Sequence, residues 1–294
     1  MSRNAIIFLG GQQLLSDDLL DVKLYWYSEG SNFGDAINPF ILQRIFSHTP
    51  KSVYPADAEL FMIGSILQKT MMSKTNLFKR LMDSAKKPLD VWSSGFIRDR
   101  VKGVCIPRKL NVCAVRGDLS RRLLETVTGK KYQPVLGDGG LLIPRLFETL
   151  PEKRYSIGIV PHFIDEGVDE MQVLLKSVRD EDRIVISPLG DPLECALKIA
   201  SCETILSSSL HGLIAADAFG IPNRQIIISD KIVGGLFKYN DYYSAFGKEA
   251  RPLALSEISK TGISADDIRK AYQINYDQVL EKQDALYAAF PYKK

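Results

Sequence analysis

An α/β fold built on parallel sheets is the class this sequence predicts, on three observations. Short, almost wholly apolar runs recur, as in Ser156-Ile157-Gly158-Ile159-Val160 and Thr204-Ile205-Leu206-Ser207. Between them apolar residues return at helical spacing, as at Val168, Met171, Leu174, Leu175 and Val178. Gly or Pro then stops the helical stretch, as at Gly220 and Pro222. Strands that alternate with helices and are apolar along their whole length belong to a sheet covered on both faces.

In the first half, Lys23–Tyr27 reads as a strand. One helix is expected from Phe33 to Phe46, carrying Ile37, Phe40, Ile41, Leu42 and Ile45. Leu60–Ile63, Val91–Trp92 and Val112–Val115 are further short strands, and Leu119, Leu123, Leu124 and Val127 mark a helix after Arg116. Proline and charge without periodicity over Pro144–Arg154 place a boundary there. The second half is cleaner. A strand over Ser156–Pro161, a helix to Val178 and a strand over Arg183–Ser187 come first. Asp191-Pro192 then starts a helix as an N-cap followed by proline. A strand at Thr204–Ser207, a helix from His211 to Phe219 and a strand at Gln225–Ser229 complete it. Ser264–Phe290 reads as one or two helices. The expected organisation is therefore a Rossmann-like unit over 1–148, a second over 149–250, and a helical tail over 251–294 that packs back on the first.

The 294 residues hold 38 Lys+Arg against 35 Asp+Glu, a net charge of +3, too even for a nucleic-acid partner. No apolar run approaches the roughly 20 residues that span a bilayer. Ala5–Leu9 is followed by Gln12, Gln13 and Asp17 with no small-residue cleavage site, so no secretion signal is expected. Cys105, Cys113, Cys195 and Cys202 form no CxxC pair. They read as small core hydrophobes in a reducing cytoplasm. No cluster has metal-ligand spacing, so no metal is expected.

Ligands of open α/β sheets bind beyond the carboxyl ends of the strands, and the loops there hold most of the reactive residues. Of three histidines, His48 ends a helix beside Thr49-Pro50, where a capping or solvated role is expected. His162 and His211 each follow a strand, and an imidazole of pKa about 6.5 suits proton transfer near neutrality. Ser207-Ser208-Ser209 before a helix offers either plain capping or an anion site of free N–H and hydroxyl donors. Arg116, in Val115-Arg116-Gly117-Asp118, either grips a carboxylate or phosphate in the cleft or pairs with an acid at the surface.

The loop Glu29-Gly30-Ser31-Asn32-Phe33-Gly34-Asp35 is polar and glycine-rich. It is neither GxGxxG nor a P-loop, and its Asp35 also suits a helix start. Trp92-Ser93-Ser94-Gly95-Phe96 and Leu136-Gly137-Asp138-Gly139-Gly140 are further glycine-rich strand exits. Lys238-Tyr239-Asn240-Asp241-Tyr242-Tyr243 suits sugar stacking or domain packing. Lys69 to Lys87 carries six basic residues with Leu77, Phe78 and Leu81. It reads as a solvated insertion helix or as a segment lying on an anionic membrane.

Taken in order, Asn32-Phe33-Gly34-Asp35, Trp92-Ser93-Ser94-Gly95-Phe96, Val115-Arg116-Gly117 with Ser120, Leu136-Gly137-Asp138, Ser208-Ser209-Leu210-His211-Gly212-Leu213-Ile214-Ala215-Ala216-Asp217-Ala218 and Gly220-Ile221-Pro222 give a chain that resembles the polysaccharide pyruvyl transferases. The resemblance runs roughly from Lys23 to Tyr243. It implies a glycosyltransferase-B-like pair of Rossmann-like domains facing a cleft. It also implies transfer of the pyruvyl group of phosphoenolpyruvate onto a sugar diol, forming a cyclic ketal for a surface polysaccharide. No cofactor is implied beyond that donor. The acceptor is a sugar or lipid-linked oligosaccharide, which would bring a cytoplasmic protein to the inner face of the membrane as a peripheral contact.

The family's Ser-x-Leu-His motif falls on His211, and its Arg-Gly motif on Arg116. Phosphoenolpyruvate is then expected at Arg116, Ser208, Ser209, Leu210, His211 and Gly212. His211 would protonate the donor methylene, with Asp35 or His162 accepting the sugar proton. Asn32, Lys238, Tyr239 and Tyr242 would hold the acceptor. Ser209 stands where many members carry Arg, and Ser93-Ser94-Gly95 where many carry Gly-Gln-Ser; Arg98 or Lys238 is expected to supply the missing charge. Two other readings keep the same fold: a nucleotide-sugar glycosyltransferase using Glu194 or Asp217, and a non-catalytic sugar-binding member.

Overall fold

The computed structural model describes residues 7–9, 12–14, 20–27 and 32–292. An antiparallel hairpin, β1 (Ile7–Leu9) with β2 (Gln12–Leu14), comes first. The first half continues with β3 (Leu20–Tyr25), α1 (Phe33–Ala36), α2 (Asn38–Arg44), β4 (His48–Ser52), β5 (Leu60–Phe61), β6 (Met72–Ser73), α3 (Leu77–Ser84), β7 (Leu89–Val91), β8 (Val104–Cys105), β9 (Leu110–Val112), β10 (Ala114–Val115), α4 (Asp118–Thr128) and β11 (Val135–Leu136). Five of these strands form a parallel sheet in the order β4-β3-β5-β7-β9. β10 pairs with β11 in parallel, and β6 with β8 antiparallel.

A 3₁₀ segment, Gly139–Leu146, leads into the second half. There the order is β12 (Tyr155–Val160), α5 (Glu170–Ser177), β13 (Arg183–Val185), α6 (Pro192–Ala200), β14 (Cys202–Ser207), α7 (Leu210–Ala218), β15 (Asn223–Ile227), α8 (Phe237–Ser244), β16 (Leu253–Ala254), α9 (Leu255–Thr261), α10 (Ala265–Ala271) and α11 (Tyr276–Ala288). The second sheet is β13-β12-β14-β15-β16, again all parallel. Four consecutive residues of β12, Ile157 to Val160, are buried. Only a sheet covered on both faces buries neighbours that point opposite ways. The α/β class with parallel sheets is thus the one the patterning implies.

Three local expectations are corrected. The single helix over Phe33–Phe46 is two, because Pro39 has no N–H for the helical ladder. The side chain of Asn38 supplies the missing donor to the Asp35 carbonyl at 3.0 Å and also bonds the backbone of Ile63. The strand expected over Val112–Val115 changes partner at Cys113. The Cys113 amide donates to Val91 on one side, and its carbonyl accepts from Val135 on the other. His48 is neither a helix cap nor solvated: it opens β4, is buried, and its Nε2 lies 2.7 Å from the carbonyl oxygen of Tyr292.

That contact belongs to a seam between the C-terminal segment and the first sheet. Phe290 stacks on Phe46 and meets Trp92 edge-on, Trp92 Nε1 donates to the Leu286 carbonyl, and the Tyr292 hydroxyl donates to Asp90. One apolar cluster runs through both halves. Leu24, Ile37 and Trp92 join Leu213 and Ile214 of α7 through Leu141 and Leu142 of the 3₁₀ segment. Cys195 and Cys202 are buried, Cys105 and Cys113 half-buried, and all four are free thiols. Truncating the aromatic plug is expected to cost about 3 kcal/mol or more, the range for buried Phe→Ala changes. Urea unfolding of Phe290→Ala against wild type measures it.

Candidate active site

Both sheets place their second strand outside the first and their third on its other side, so each has a topological switch point. These lie between β3 and β5 and between β12 and β14, and ligands of doubly wound sheets bind beyond such points. The loops leaving these four strands converge on one cavity of about 590 Å³, lined from the first half by Asn32, Asp35 and Ser65 and from the second by His162, His211 and Lys238. That volume lies within the roughly 300–1,000 Å³ typical of small-molecule sites.

Each wall is fixed locally. Asn32 caps α1 by accepting from the Gly34 amide, and its Nδ2 donates to Asp35 at 2.7 Å. The His211 ring lies against Gly34: a Cβ there would stand 1.7 Å from Nδ1, so only glycine admits the ring. Ser208 accepts from the His162 amide and donates to buried Asp165, which also accepts from Ser229. This small network joins the exits of β12, β14 and β15. Ser209 caps α7 without a side-chain capping bond. The positive end of the α7 dipole therefore opens at the cavity wall formed by Ser209, Leu210 and His211.

Among the described residues, the deep charges of the cavity near neutral pH are one cation, Lys238, and one carboxylate, Asp35. Burial pulls Lys238 down to about 8, with Arg116 pulling the same way and Asp35 and Asp165 opposing. It remains a cation near neutral pH. Burial drives His211 to about 3, reinforced by Arg116, Lys238 and His162, and drives His162 to about 3 with help from Lys238. Both imidazoles are neutral near neutral pH, so an acid role for His211 requires negative charge brought by a ligand. Burial raises Asp35 to about 6 against the Asn32 hydrogen bond and Lys238. His211 Nε2 is buried with no hydrogen-bond partner among the described residues.

The model of one protein family, Polysaccharide pyruvyl transferase, matches residues 4–228. The chain belongs to the polysaccharide pyruvyl transferase family. Among curated proteins, the "Succinoglycan biosynthesis protein ExoV" of Rhizobium meliloti (strain 1021) is 28% identical over 232 residues, covering 78% of this chain and 66% of that protein. The "Uncharacterized protein L143" of Acanthamoeba polyphaga mimivirus is 31% identical over 180 residues, 58% of this chain and 62% of its own. The matched region thus spans less than two thirds of either relative's length.

In this member of the family, the residues singled out from the sequence divide into two groups. Asn32, Asp35, His162, Ser209, Leu210, His211 and Lys238 line the cavity. Glu29, Gly30 and Ser31 of the same loop lie outside the described residues. Arg116 is not a cavity residue. Its guanidinium is fully buried, paired with Asp241 at 2.9 Å and donating to Ser65 Oγ and the Phe96 carbonyl. It rests on Gly95, where a Cβ would stand 2.4 Å from its Cζ. Ser208 is consumed by its network, and Gly212 packs against Ser207 and Val160.

Tyr239 and Tyr242 are buried rather than offered to a sugar. Their hydroxyls donate to the Ser208 carbonyl and to Asp217. Asp217 is enclosed by Asn223, Tyr242 and Tyr272, and Glu194 faces solvent beside Lys198. Neither is available at the cavity to a nucleotide sugar. Arg98 is exposed and lines a separate groove with Arg100 and Lys231, which leaves Lys238 as the deep cation.

Sequence reasoning missed Tyr25, Tyr27, Ser65, Gln68 and Phe163, all of them cavity residues. Their signal was positional: each ends or follows a strand at a switch point. Removing the partner of a buried charge costs about 3–5 kcal/mol. Asp241→Asn, which keeps the shape but strands the Arg116 charge, is expected to lose that much in urea unfolding.

Proposed function

We propose that the cavity binds phosphoenolpyruvate and transfers its pyruvyl group to a sugar diol, forming a pyruvate ketal and releasing phosphate. The observation that carries this reading is the convergence of Lys238, His211, Asp35 and the α7 N-terminus on one cavity. Membership of the family and the likeness to a succinoglycan biosynthesis protein support it. The two sheets would then be the cores of Rossmann-like domains over 1–148 and 149–250, set face to face in the glycosyltransferase-B manner, with 251–294 as a tail.

The donor carries a carboxylate and a phosphate, and Lys238 with the amides of α7 would receive them. That negative charge beside His211 raises its pKa and loads the ring with a proton. His211 gives the proton to the donor methylene, making it a methyl group as positive charge develops on the adjacent carbon. One sugar hydroxyl attacks that carbon while Asp35 takes its proton. The second hydroxyl closes the ring, the carbon–oxygen bond to phosphate breaks, and its proton leaves with the products. His162, whose Nδ1 already accepts from the Ile164 amide, serves as wall rather than base. Ser65, held by Arg116, positions the floor. Tyr27 and Phe163, both exposed at the rim, offer aromatic faces to the acceptor. An adjoining groove lined by Trp26, Tyr54 and Lys69 shares Tyr27 with the cavity and would take further sugar units.

The direct test incubates the protein with phosphoenolpyruvate and a panel of hexopyranosides bearing paired free hydroxyls, and follows phosphate. Release that depends on the sugar, and falls at least about a hundredfold in His211→Ala and Lys238→Ala, is the expected result, the size typical of general acid–base and electrostatic contributions. Phosphate release that ignores either substitution contradicts it.

The rate should also depend on pH with two limbs. Below about 6 the Asp35 carboxyl is protonated and cannot act as a base, so kcat/KM falls with acidification. Above about 8 Lys238 loses its charge and the donor its counter-ion, so kcat/KM falls with alkalinity. Lys238→Arg should blunt the alkaline limb without abolishing it, because guanidinium stays charged throughout while His211 must still be loaded with a proton.

A further inference from the structure

α3 is an amphipathic helix mounted the wrong way round for a globular protein. Asn76 caps it by accepting from the Lys79 amide, and Leu77, Phe78, Leu81 and Met82 fall on one face by their spacing. Those four side chains are 73%, 77%, 69% and 58% exposed, and no residue of the helix is buried. Its polar face turns to the protein instead. Arg80 donates to the Lys74 carbonyl, and Lys86 bridges Asp83 at 3.0 Å and the Ala56 carbonyl at 2.9 Å. An apolar face held outward by polar anchors is a surface that expects a cover.

The charge around it names the cover. The exposed cations on and beside the helix are Lys74, Lys79 and Lys87, against one acid within residues 74–87, Asp83, which is already paired with Lys86. A second copy of the chain fits badly. Two-fold pairing would set these cations against themselves. A helix of eight residues, about 12 Å long and about 10 Å wide, also presents a face on the order of 120 Å², far below the roughly 800 Å² per partner of a stable interface. An anionic bilayer satisfies both halves of the pattern, because acyl chains take Leu77, Phe78, Leu81 and Met82 while headgroups neutralise the lysines.

We propose that α3 is a peripheral membrane-docking helix that seats this protein on anionic phospholipid. The Lys86–Ala56 bond ties it to the segment Tyr54–Asp57, which lines the groove next to the cavity. That bond places α3 next to the segment that lines the groove.

Vesicle flotation of the full-length protein, without substrate, tests this on phosphatidylcholine alone and on phosphatidylcholine mixed with phosphatidylglycerol. The protein should float with the mixed vesicles, weakly or not at all with the neutral ones, and less as salt rises. Replacing the apolar face in the double variant F78S and L81S should weaken flotation at least about tenfold, and so should the charge reversals K79E and K87E. Both pairs are exposed, so urea unfolding should match wild type. In F78W the added indole should shift its emission to the blue on mixed vesicles. Three results overturn the proposal: flotation indifferent to phosphatidylglycerol, flotation unchanged by F78S with L81S, and a wild-type dimer in sedimentation that the double variant splits while vesicles capture neither.

Discussion

The buried ion pair between Arg116 and Asp241 is the constraint on which the cavity depends. Both side chains are fully enclosed. The carboxylate also accepts from the backbone and hydroxyl of Ser120 at the start of α4. Asp241 lies on α8, three residues after Lys238, so the same pairing that clamps α8 to the first half sets where the cavity's cation stands. The guanidinium also donates to Ser65 of the cavity wall and to the Phe96 carbonyl. Taking two charges out of water is costly, and such a pair is retained where it fixes geometry rather than where stability alone is needed. Here it joins residues 125 positions apart across the two halves.

The consequence is an electrostatic asymmetry in the cavity. Arg116 lies outside the lining yet helps to depress both His211 and Lys238. On the proposed reading, a multiply charged anion would supply the negative charge that burial and the neighbouring cations withhold from His211 and Lys238. On that reading, substrate binding and activation of the acid would be one event, because the bound negative charge would raise the pKa of His211 until it takes up a proton. Water, which carries no charge, would leave the ring neutral and inert.

The parallel α/β sheets were legible because buried strands announce themselves as runs such as Ile157–Val160, and because Asp191-Pro192 and Gly220 punctuate the helices. His211 and Asp35 were legible because they sit in loops after strands, where open sheets bind ligands. Arg116 was found but misread. From sequence, an arginine in a strand-to-helix turn looks free, and only folding brings Asp241 to it. Tyr239 and Tyr242 were misread for the same reason: their acceptors, the Ser208 carbonyl and Asp217, are distant in the chain. His48 waited on Tyr292, and the inverted face of α3 could not be seen until the helix was placed, since periodicity gives a stripe without saying which way it points.

The central claim is that a small multiply charged anion enters this cavity and brings a proton onto His211. Isothermal titration of phosphoenolpyruvate near neutral pH, in buffers of differing ionisation heat, measures it directly. Saturable binding whose apparent enthalpy varies with the buffer in the sense of net proton uptake, lost in His211→Gln, is the predicted result. Binding with no proton exchange, or no binding while a nucleotide sugar binds well, contradicts it.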